Sequence, residues 1–176
     1  MKKVILVCIV SCCCVGRLSA LNLAHIRALF FQSVTNKASV DQSFLLLKNV
    51  TVKDDPVLFG YKAMSYIMMA KHAVNPVNKY RFFKIGKNQL EEAIRMDVNS
   101  IELRFIRLTV QMNVPSLLAY NAEIVTDKEF ILKSIHSMKE EDLKIKIANY
   151  LISSDLCNKV EKNGILNLVF LPGNSH

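Results

Sequence analysis

Helix start signals recur along this chain, and they constrain its fold more than any other feature. Asp55-Pro56 and Asn75-Pro76 each place a capping side chain before a proline, which suits the first position of a helix because its missing N–H has no partner there. Five more caps, each followed three positions later by Glu or Gln, are predicted at Ser39, Asn99, Thr126, Ser137 and Asn158. The sequence therefore predicts a helical chain.

These signals divide the chain after Ala20 into helices joined by short connections, which favours antiparallel neighbours. The predicted spans are 22–35, 40–49, 56–73, 76–96, 100–113, 116–122, 127–137, 138–153 and 159–170, of which 116–122 is short enough to be only a turn. We predict an all-α fold of seven or eight antiparallel helices in an irregular bundle.

Apolar residues repeat at steps of three, four and seven within the predicted helices, so they share one face. In the helix at 100–113 they lie on both faces, which predicts a central position for it. The predicted core residues are Tyr61, Met64, Met68, Phe83, Leu90, Ile94, Ile101, Phe105, Leu108, Ile131 and Ile135.

The first twenty residues have the order of a secretory signal peptide. Lys2 and Lys3 precede an apolar run of twelve residues over 4–15, and small residues follow before Ala20. Such a run rises only about 18 Å as a helix, against about 30 Å for the hydrocarbon core of a bilayer. The sequence predicts a cleaved signal at 1–20, a single helical domain at 21–176, and export to the periplasm or the extracellular space.

The cysteines leave an alternative for the N-terminus open. Ile9-Val10-Ser11-Cys12 resembles a bacterial lipobox, in which a lipid on Cys12 would anchor the protein to a membrane. Three further cysteines lie in the same apolar run, so Cys157 is the one cysteine of the predicted mature chain. One thiol makes no internal disulfide, and we expect Cys157 to be a small buried hydrophobe.

The fourth predicted helix repeats a small residue, a large apolar residue and an alanine at steps of four and three. These residues are Gly86, Leu90 and Ala93, with Asp97 and Asn99 at the turn that follows. The segment from Tyr61 to about Pro115 thereby resembles a tetratricopeptide-type helical hairpin. The resemblance implies a short tetratricopeptide-like α-solenoid as the alternative to an irregular bundle.

Three short segments carry a second resemblance: Gly60-Tyr61-Lys62-Ala63, Phe82-Phe83-Lys84-Ile85-Gly86 and Ile101-Glu102-Leu103-Arg104-Phe105. They are similar to segments of small exported helical proteins of Bacteroidota, a group without an assigned activity. This resemblance implies a helical fold and export, and it transfers no site residue.

Residues with catalytic or metal-binding chemistry are scattered. The histidines, His25, His72, His136 and His176, lack the spacing of a metal site, and we expect no metal or cofactor. Glu91 and Glu92 are adjacent, but neighbours on a helix point about 100° apart and do not form a catalytic pair. Pairs spaced i,i+4 on solvated helix faces are predicted for Glu91–Arg95, Glu140–Lys144 and Asp142–Lys146.

One stretch interleaves basic and aromatic side chains: Lys79, Tyr80, Arg81, Phe82, Phe83, Lys84 and Lys87. Such a cluster is typical of surfaces that bind nucleic acid or another anionic polymer. However, loss of Lys2, Lys3 and Arg17 with the signal lowers the net charge from +8 to +5, and export separates the chain from nucleic acid. We therefore expect Tyr80 and Phe83 to face the core, the cations to extend into solvent, and no nucleic acid to bind.

The lack of a catalytic motif and the helical hairpins favour a non-enzymatic interaction or scaffold protein that binds another envelope or secreted protein. The alternative is a hydrolase, or a lipid- or small-ligand-binding protein, whose residues converge from separate helices. The polar candidates for that alternative are His72, Tyr61 and Glu91. Contact with a membrane is expected only for a form lipidated at Cys12.

A partner surface follows from the hairpin pattern, because stacked hairpins expose the first helix of each pair. This assigns it to the helices at 56–73 and 100–113. The positions predicted to lie outside the core are Lys62, Ser65, Met69, Arg104, Arg107 and Gln111. Arg and Met are enriched in interfaces, so the candidate partner-binding residues are Arg104, Arg107 and Met69.

Overall fold

A computed structural model describes residues 22–170. The predicted signal at 1–20, the predicted lipid site Cys12 and His176 lie outside these residues. Over the described range the chain forms eight α-helices and no β-strand: α1 (Leu23–Ser33), α2 (Lys37–Leu47), α3 (Pro56–His72), α4 (Pro76–Met96), α5 (Ile101–Asn113), α6 (Ile124–Ser134), α7 (Glu141–Ser153) and α8 (Lys159–Phe170). The predicted all-α fold is confirmed, and the helices pack as a bundle. The segment predicted at 116–122 is only a 3₁₀ turn, Ser116–Leu118.

Both caps that precede a proline start their helices as predicted. The Asp55 carboxylate accepts hydrogen bonds from the backbone N–H groups of Val57 and Leu58, at 2.9 and 3.0 Å. The Asn75 side chain likewise accepts from the N–H of Val77 at 2.8 Å. These bonds satisfy N–H groups that have no partner within the helix.

The predicted capping box before α8 is also confirmed. The Asn158 side chain accepts from the backbone N–H of Glu161 at 3.0 Å, and the Glu161 carboxylate accepts from the N–H of Asn158 at 2.8 Å. Two N–H groups are thus satisfied reciprocally.

The predicted caps at Ser39, Asn99, Thr126 and Ser137 are wrong. α2 and α5 begin after Asn36 and Ser100 instead, whose side chains accept from backbone N–H groups of the first turn. α6 begins three residues earlier than predicted, at Ile124. α7 begins three residues later than predicted, at Glu141, and Ser137 instead ends a 3₁₀ turn, Ile135–Ser137.

The buried apolar side chains form two clusters that share α5. The N-terminal cluster is built from α1 to α5 and receives Leu103, Ile106 and Val110 of α5. The C-terminal cluster is built from α5 to α8 and receives Phe105 and Leu108. The predicted central position of this helix is confirmed, because it is apolar on both faces.

All the predicted core residues are buried except Ile101, which is half-buried. Ile101 is the first residue of α5, so no earlier turn of that helix covers its side chain. It packs against the C-terminal cluster from the edge.

α3 and α4 form the most extensive pair of helices, and a glycine sets their separation. A Cβ atom on Gly86 would lie 2.7 Å from the carbonyl oxygen of Ala63 and 2.6 Å from a side-chain carbon of Ile67. The α4 backbone therefore approaches the α3 backbone more closely than a larger residue permits. This contact fixes the two helices as a tight hairpin.

Candidate functional site

Two of the residues predicted to bind a partner, Arg104 and Arg107, lie in an ion-pair cluster between α4, α5 and α6. The Arg107 guanidinium donates through Nε and Nη2 to the two carboxylate oxygens of Asp127, at 2.7 and 2.8 Å. Arg104 donates through Nη1 to the same carboxylate at 3.0 Å. Asp127 is 0% exposed and Arg107 only 6% exposed. Such a buried carboxylate needs this bidentate partner to offset its loss of hydration.

Glu91 extends the cluster onto α4. It accepts from Arg107 Nη1 at 2.9 Å through one oxygen and from the Tyr120 hydroxyl at 2.5 Å through the other. The predicted surface pair Glu91–Arg95 is therefore wrong, and Arg95 pairs with Glu92 instead. Glu91 turns inward because the buried Arg107 offers it a stronger partner than a solvated arginine does.

The other two predicted surface pairs are also replaced. Lys144 pairs with Glu141, one residue from its predicted partner, with the charged atoms 2.8 Å apart. Lys146 lies over the ring of Phe31, with Nζ 4.7 Å from the ring centre.

A second ion pair joins α1, α3 and α5. Arg27 donates through Nε and Nη2 to the two carboxylate oxygens of Glu102, at 2.7 and 2.6 Å. The hydroxyl of Tyr61 donates to the same carboxylate at 2.6 Å. Since Glu102 and Tyr61 are both buried, this triad replaces the water that their polar atoms have lost.

Both tyrosines are held in their protonated form. Burial, and next the negative charge of Glu102, raises the pKa of Tyr61 far above its ordinary value of 10. Burial and the hydrogen bond to Glu91 raise the pKa of Tyr120 in the same direction. Each phenol therefore acts as a donor to a carboxylate rather than as a base.

The reactive groups considered in the sequence are not assembled into one site. The Nε2 atom of His72 lies 3.1 Å from the carbonyl oxygen of Ser33. The Tyr61 hydroxyl donates to Glu102, and Glu91 accepts from Arg107, so the three candidates have separate partners. Among residues 22–170, no group of three His, Cys, Asp or Glu side chains is placed to hold a metal ion. Cys157 is buried as predicted, and burial raises the pKa of its thiol.

The premise behind the predicted partner surface is only partly correct. Ser65, Arg107 and Gln111 are buried, so the expectation that they lie outside the core is wrong. Met69 is half-buried against the N-terminal cluster, and the Arg104 guanidinium stacks on the ring of Phe130 with 4.2 Å between its carbon and the ring centre. A binding role for Arg104, Arg107 and Met69 stays a prediction.

The turn between α3 and α4 carries a different candidate surface, which we call the basic apolar end. Its apolar members are Val74, Val77 and Tyr80, which are 97%, 74% and 58% exposed. Its basic members are the exposed side chains of Lys71, Lys79, Arg81 and Lys84. The expectation that Tyr80 faces the core is thus wrong, whereas Phe83 is buried as predicted.

Helix geometry explains how this end is built. Val77 is separated from Tyr80, Arg81 and Lys84 by three, four and seven residues, so these side chains share one face of α4. The capping of α4 by Asn75 fixes where that face begins. Phe83, three residues after Tyr80, is buried and packs against Tyr120, with ring centres 6.0 Å apart.

Two other connections lie beside this end. Lys71 Nζ donates to the carbonyl oxygen of Val34 at 2.8 Å, which brings the α1–α2 turn next to the last turn of α3. The edge-to-face contact of Tyr120 with Phe83 brings the segment after α5 next to the first half of α4. Leu117 of that segment is almost fully exposed. Exposed apolar side chains thus come from three connections.

The sequence predicts the positive charge of this region but not the exposure of its apolar side chains. Between residues 56 and 90 the chain has six Lys or Arg residues and no Asp or Glu. The sequence does not predict the exposed apolar members, because a valine near a helix start is equally typical of a core residue. Only the tertiary packing distinguishes the exposed Val77 from the buried Phe83.

None of the helices over residues 22–170 combines the length and hydrophobicity that a membrane span requires. Comparison of the chain with protein-family models, with curated proteins and with solved structures finds no match.

Proposed function

We propose that this chain is an exported, non-enzymatic interaction protein that binds a negatively charged partner surface through the basic apolar end. The observation that carries the proposal is the exposure of Val74, Val77 and Tyr80 on a segment whose neighbouring cations are also exposed. Exposed apolar groups of this kind are typical of contact surfaces rather than of solvated loops. The export and the identity of a protein partner in the cell envelope stay predictions from the sequence.

The internal bonding of the polar groups also supports binding over catalysis. The carboxylates of Glu91, Glu102 and Asp127 each accept at least two hydrogen bonds from side chains of the same chain. A general base needs a free lone pair within reach of a substrate proton. These groups serve instead to hold the helices that support the exposed end.

Cysteine labelling in the native cell tests the proposal. Val77→Cys places a thiol in the basic apolar end, and Val160→Cys places one at a similarly exposed position (80%) on α8 as the matched control. We expect a maleimide to label both positions in the purified protein, but to label the thiol at 77 poorly in the intact envelope. Peptide mass spectrometry separates each position from Cys157 and from the cysteines near the N-terminus. Equal labelling at 77 in both samples would contradict the proposal.

A further inference from the structure

We propose that the partner of the basic apolar end is the surface of a lipid bilayer with anionic headgroups. This inference rests on the proposed function and names the chemistry of what covers that end.

The shape of the apolar surface favours a bilayer over a protein. Interfaces between proteins concentrate their binding energy in well-packed pockets. Val74 and Val77 instead project from a turn and from the first helical turn after it, and are 97% and 74% exposed. A bilayer accepts such projecting side chains without a complementary pocket, because its acyl chains rearrange around them.

The charges around the apolar side chains match a layer of anionic headgroups. Lys71 at the end of α3 and Lys79, Arg81 and Lys84 in the first half of α4 are exposed, and no acidic residue occurs between 56 and 90. Asp41, on the neighbouring α2, is paired with Lys37 at 2.9 Å. Cations near an anionic leaflet strengthen binding by about fivefold each.

Tyr80 occupies the position that an interfacial aromatic residue takes in membrane proteins. Its ring belongs to the apolar face and is 58% exposed, so its hydroxyl is free to remain at the headgroup level. Tyrosine is enriched at this depth because its ring is apolar and its hydroxyl is polar. Nucleic acid explains the cations and a stacked Tyr80 but leaves Val74 and Val77 without an apolar contact.

The placement of three connections at one end adds to the argument. Val34, Val74 and Leu117 are exposed on the turns after α1, α3 and α5. A bilayer presents one broad surface, and it contacts several turns at the same end of a bundle at once. The helices would then contact the membrane through this end only.

A fluorescence experiment tests this placement directly, because the sequence contains no tryptophan. Val77→Trp and, as the control, Val160→Trp each introduce one indole at an exposed position. The protein is expressed from the full-length sequence, and intact mass spectrometry verifies that all variants share the same N-terminus. Vesicles contain equal parts of phosphatidylglycerol and phosphatidylcholine, or phosphatidylcholine alone.

With the anionic vesicles only, we expect the fluorescence emission of the indole at 77 to shift to shorter wavelength. Brominated acyl chains should quench this emission. The indole at 160 should not respond. No shift at position 77, or an equal shift at both positions, would overturn the inference.

Charge variants provide the second measurement. Lys79→Gln, Arg81→Gln and Lys84→Gln together should lower the partition coefficient on anionic vesicles about 100-fold, from about fivefold per cation. The control removes the same charge from the exposed Lys53, Lys139 and Lys159 and should change it by less than about threefold. Equal effects of the two triple variants would overturn the inference, provided that circular dichroism finds both folded.

The two proposals fail in different ways. If the thiol at 77 is protected in the envelope but the purified protein does not bind anionic vesicles, the partner is an acidic protein and only the lipid inference is overturned. If the thiol is not protected, the proposed function fails as well.

Discussion

Each buried carboxylate in this protein is held by cations from a neighbouring helix. Removing a carboxylate from water costs several kcal/mol, and only a close partner with good hydrogen-bond geometry offsets that cost. Asp127 has such a partner in Arg107 and a second in Arg104, through three hydrogen bonds of 2.7–3.0 Å. The stability of the α5–α6 contact should therefore depend strongly on each member of this cluster.

Replacement of Asp127 tests that dependence. Asp127→Ala leaves the buried Arg107 without its bidentate partner, and we expect it to lower the free energy of unfolding by about 3–5 kcal/mol. Asp41→Ala is the control, because it removes an exposed pair with Lys37 and should cost less than about 1 kcal/mol. Urea denaturation followed by circular dichroism measures both. A loss at Asp127 no larger than that at Asp41 would refute the structural role of the cluster.

The two buried tyrosines predict how stability depends on alkaline pH. Their pKa values are raised in the folded chain, whereas an unfolded tyrosine has a pKa of about 10. Their contribution is therefore complete below about pH 10, and it is lost as the pH rises above this value toward their folded pKa. The loss approaches about 1.4 kcal/mol per pH unit for each tyrosine, because only the unfolded chain releases the proton.

The double variant Tyr61→Phe/Tyr120→Phe isolates this effect. It should be less stable at pH 7, because each hydrogen bond to a carboxylate contributes about 1.5–3 kcal/mol. Above pH 10 its stability should fall less steeply than that of the wild type, by up to about 2.7 kcal/mol per pH unit. Urea denaturation at a series of pH values measures the two slopes. Parallel curves would mean that neither phenol is protected from ionisation in the folded state.

The sequence was least informative about these polar residues. Glu102 is the last residue of the capping box predicted from Asn99, Asp127 directly follows the predicted cap Thr126, and Glu91 lies four residues before an arginine. A local pattern contains no information about an arginine that arrives from another helix. Arg107 lies sixteen residues from Glu91 and twenty from Asp127, so only the packing of α4, α5 and α6 reveals their contact.

At the scale of helices, the sequence predicts the existence of every α-helix in the described range and misplaces several starts. The Asp-Pro and Asn-Pro caps succeed because proline excludes the alternatives on its N-terminal side. The caps at Ser39 and Asn99 fail because Asn36 and Ser100 cap equally well and lie close by. Boundaries therefore depend on which of several adequate caps the tertiary packing selects.

Two of the three glycines in helices, Gly86 and Gly164, allow a matched test of how closely α3 and α4 approach. Gly86→Ala must push its Cβ against the Ala63 carbonyl oxygen, and we expect a net loss of about 1–2 kcal/mol in the free energy of unfolding. Gly164→Ala meets no atom within 4 Å, so it should gain about 0.5–1 kcal/mol from helix propensity alone. Thermal and urea denaturation distinguish the two signs. A gain at Gly86 would show that the hairpin is looser than its structure indicates.

At the scale of the whole molecule, one hairpin contributes both buried apolar side chains and a surface without acidic residues. The hairpin of α3 and α4 provides much of the N-terminal cluster and also the basic apolar end, whereas acidic residues are confined to the sequence before 56 and after 90. The buried ion pairs lie between helices and use other residues, such as Arg27, Glu102, Arg107 and Asp127. The molecule thus separates the groups that stabilise its fold from the groups proposed to bind a partner.

The two apolar clusters raise the question of whether the chain unfolds as one unit. Leu103 and Ile106 of α5 are buried in the N-terminal cluster, and Phe105 and Leu108 are buried in the C-terminal cluster. We expect a helix that is shared in this way to transmit the loss of one cluster to the other, because α5 would then have one of its apolar faces uncovered. The single domain at 21–176 stays a prediction, which this coupling tests.

Leu108→Ala tests this coupling. The change removes apolar atoms from the C-terminal cluster only, at a cost of about 2–5 kcal/mol in the free energy of unfolding. α7 lies in the C-terminal cluster and α3 in the other. We expect the free energy of hydrogen-exchange protection to fall by the same amount in both helices. The exposed Leu45→Ala should leave protection in both helices unchanged. If protection falls in α7 while α3 keeps that of the wild type, then the clusters unfold independently, and α5 joins two cooperative units rather than one.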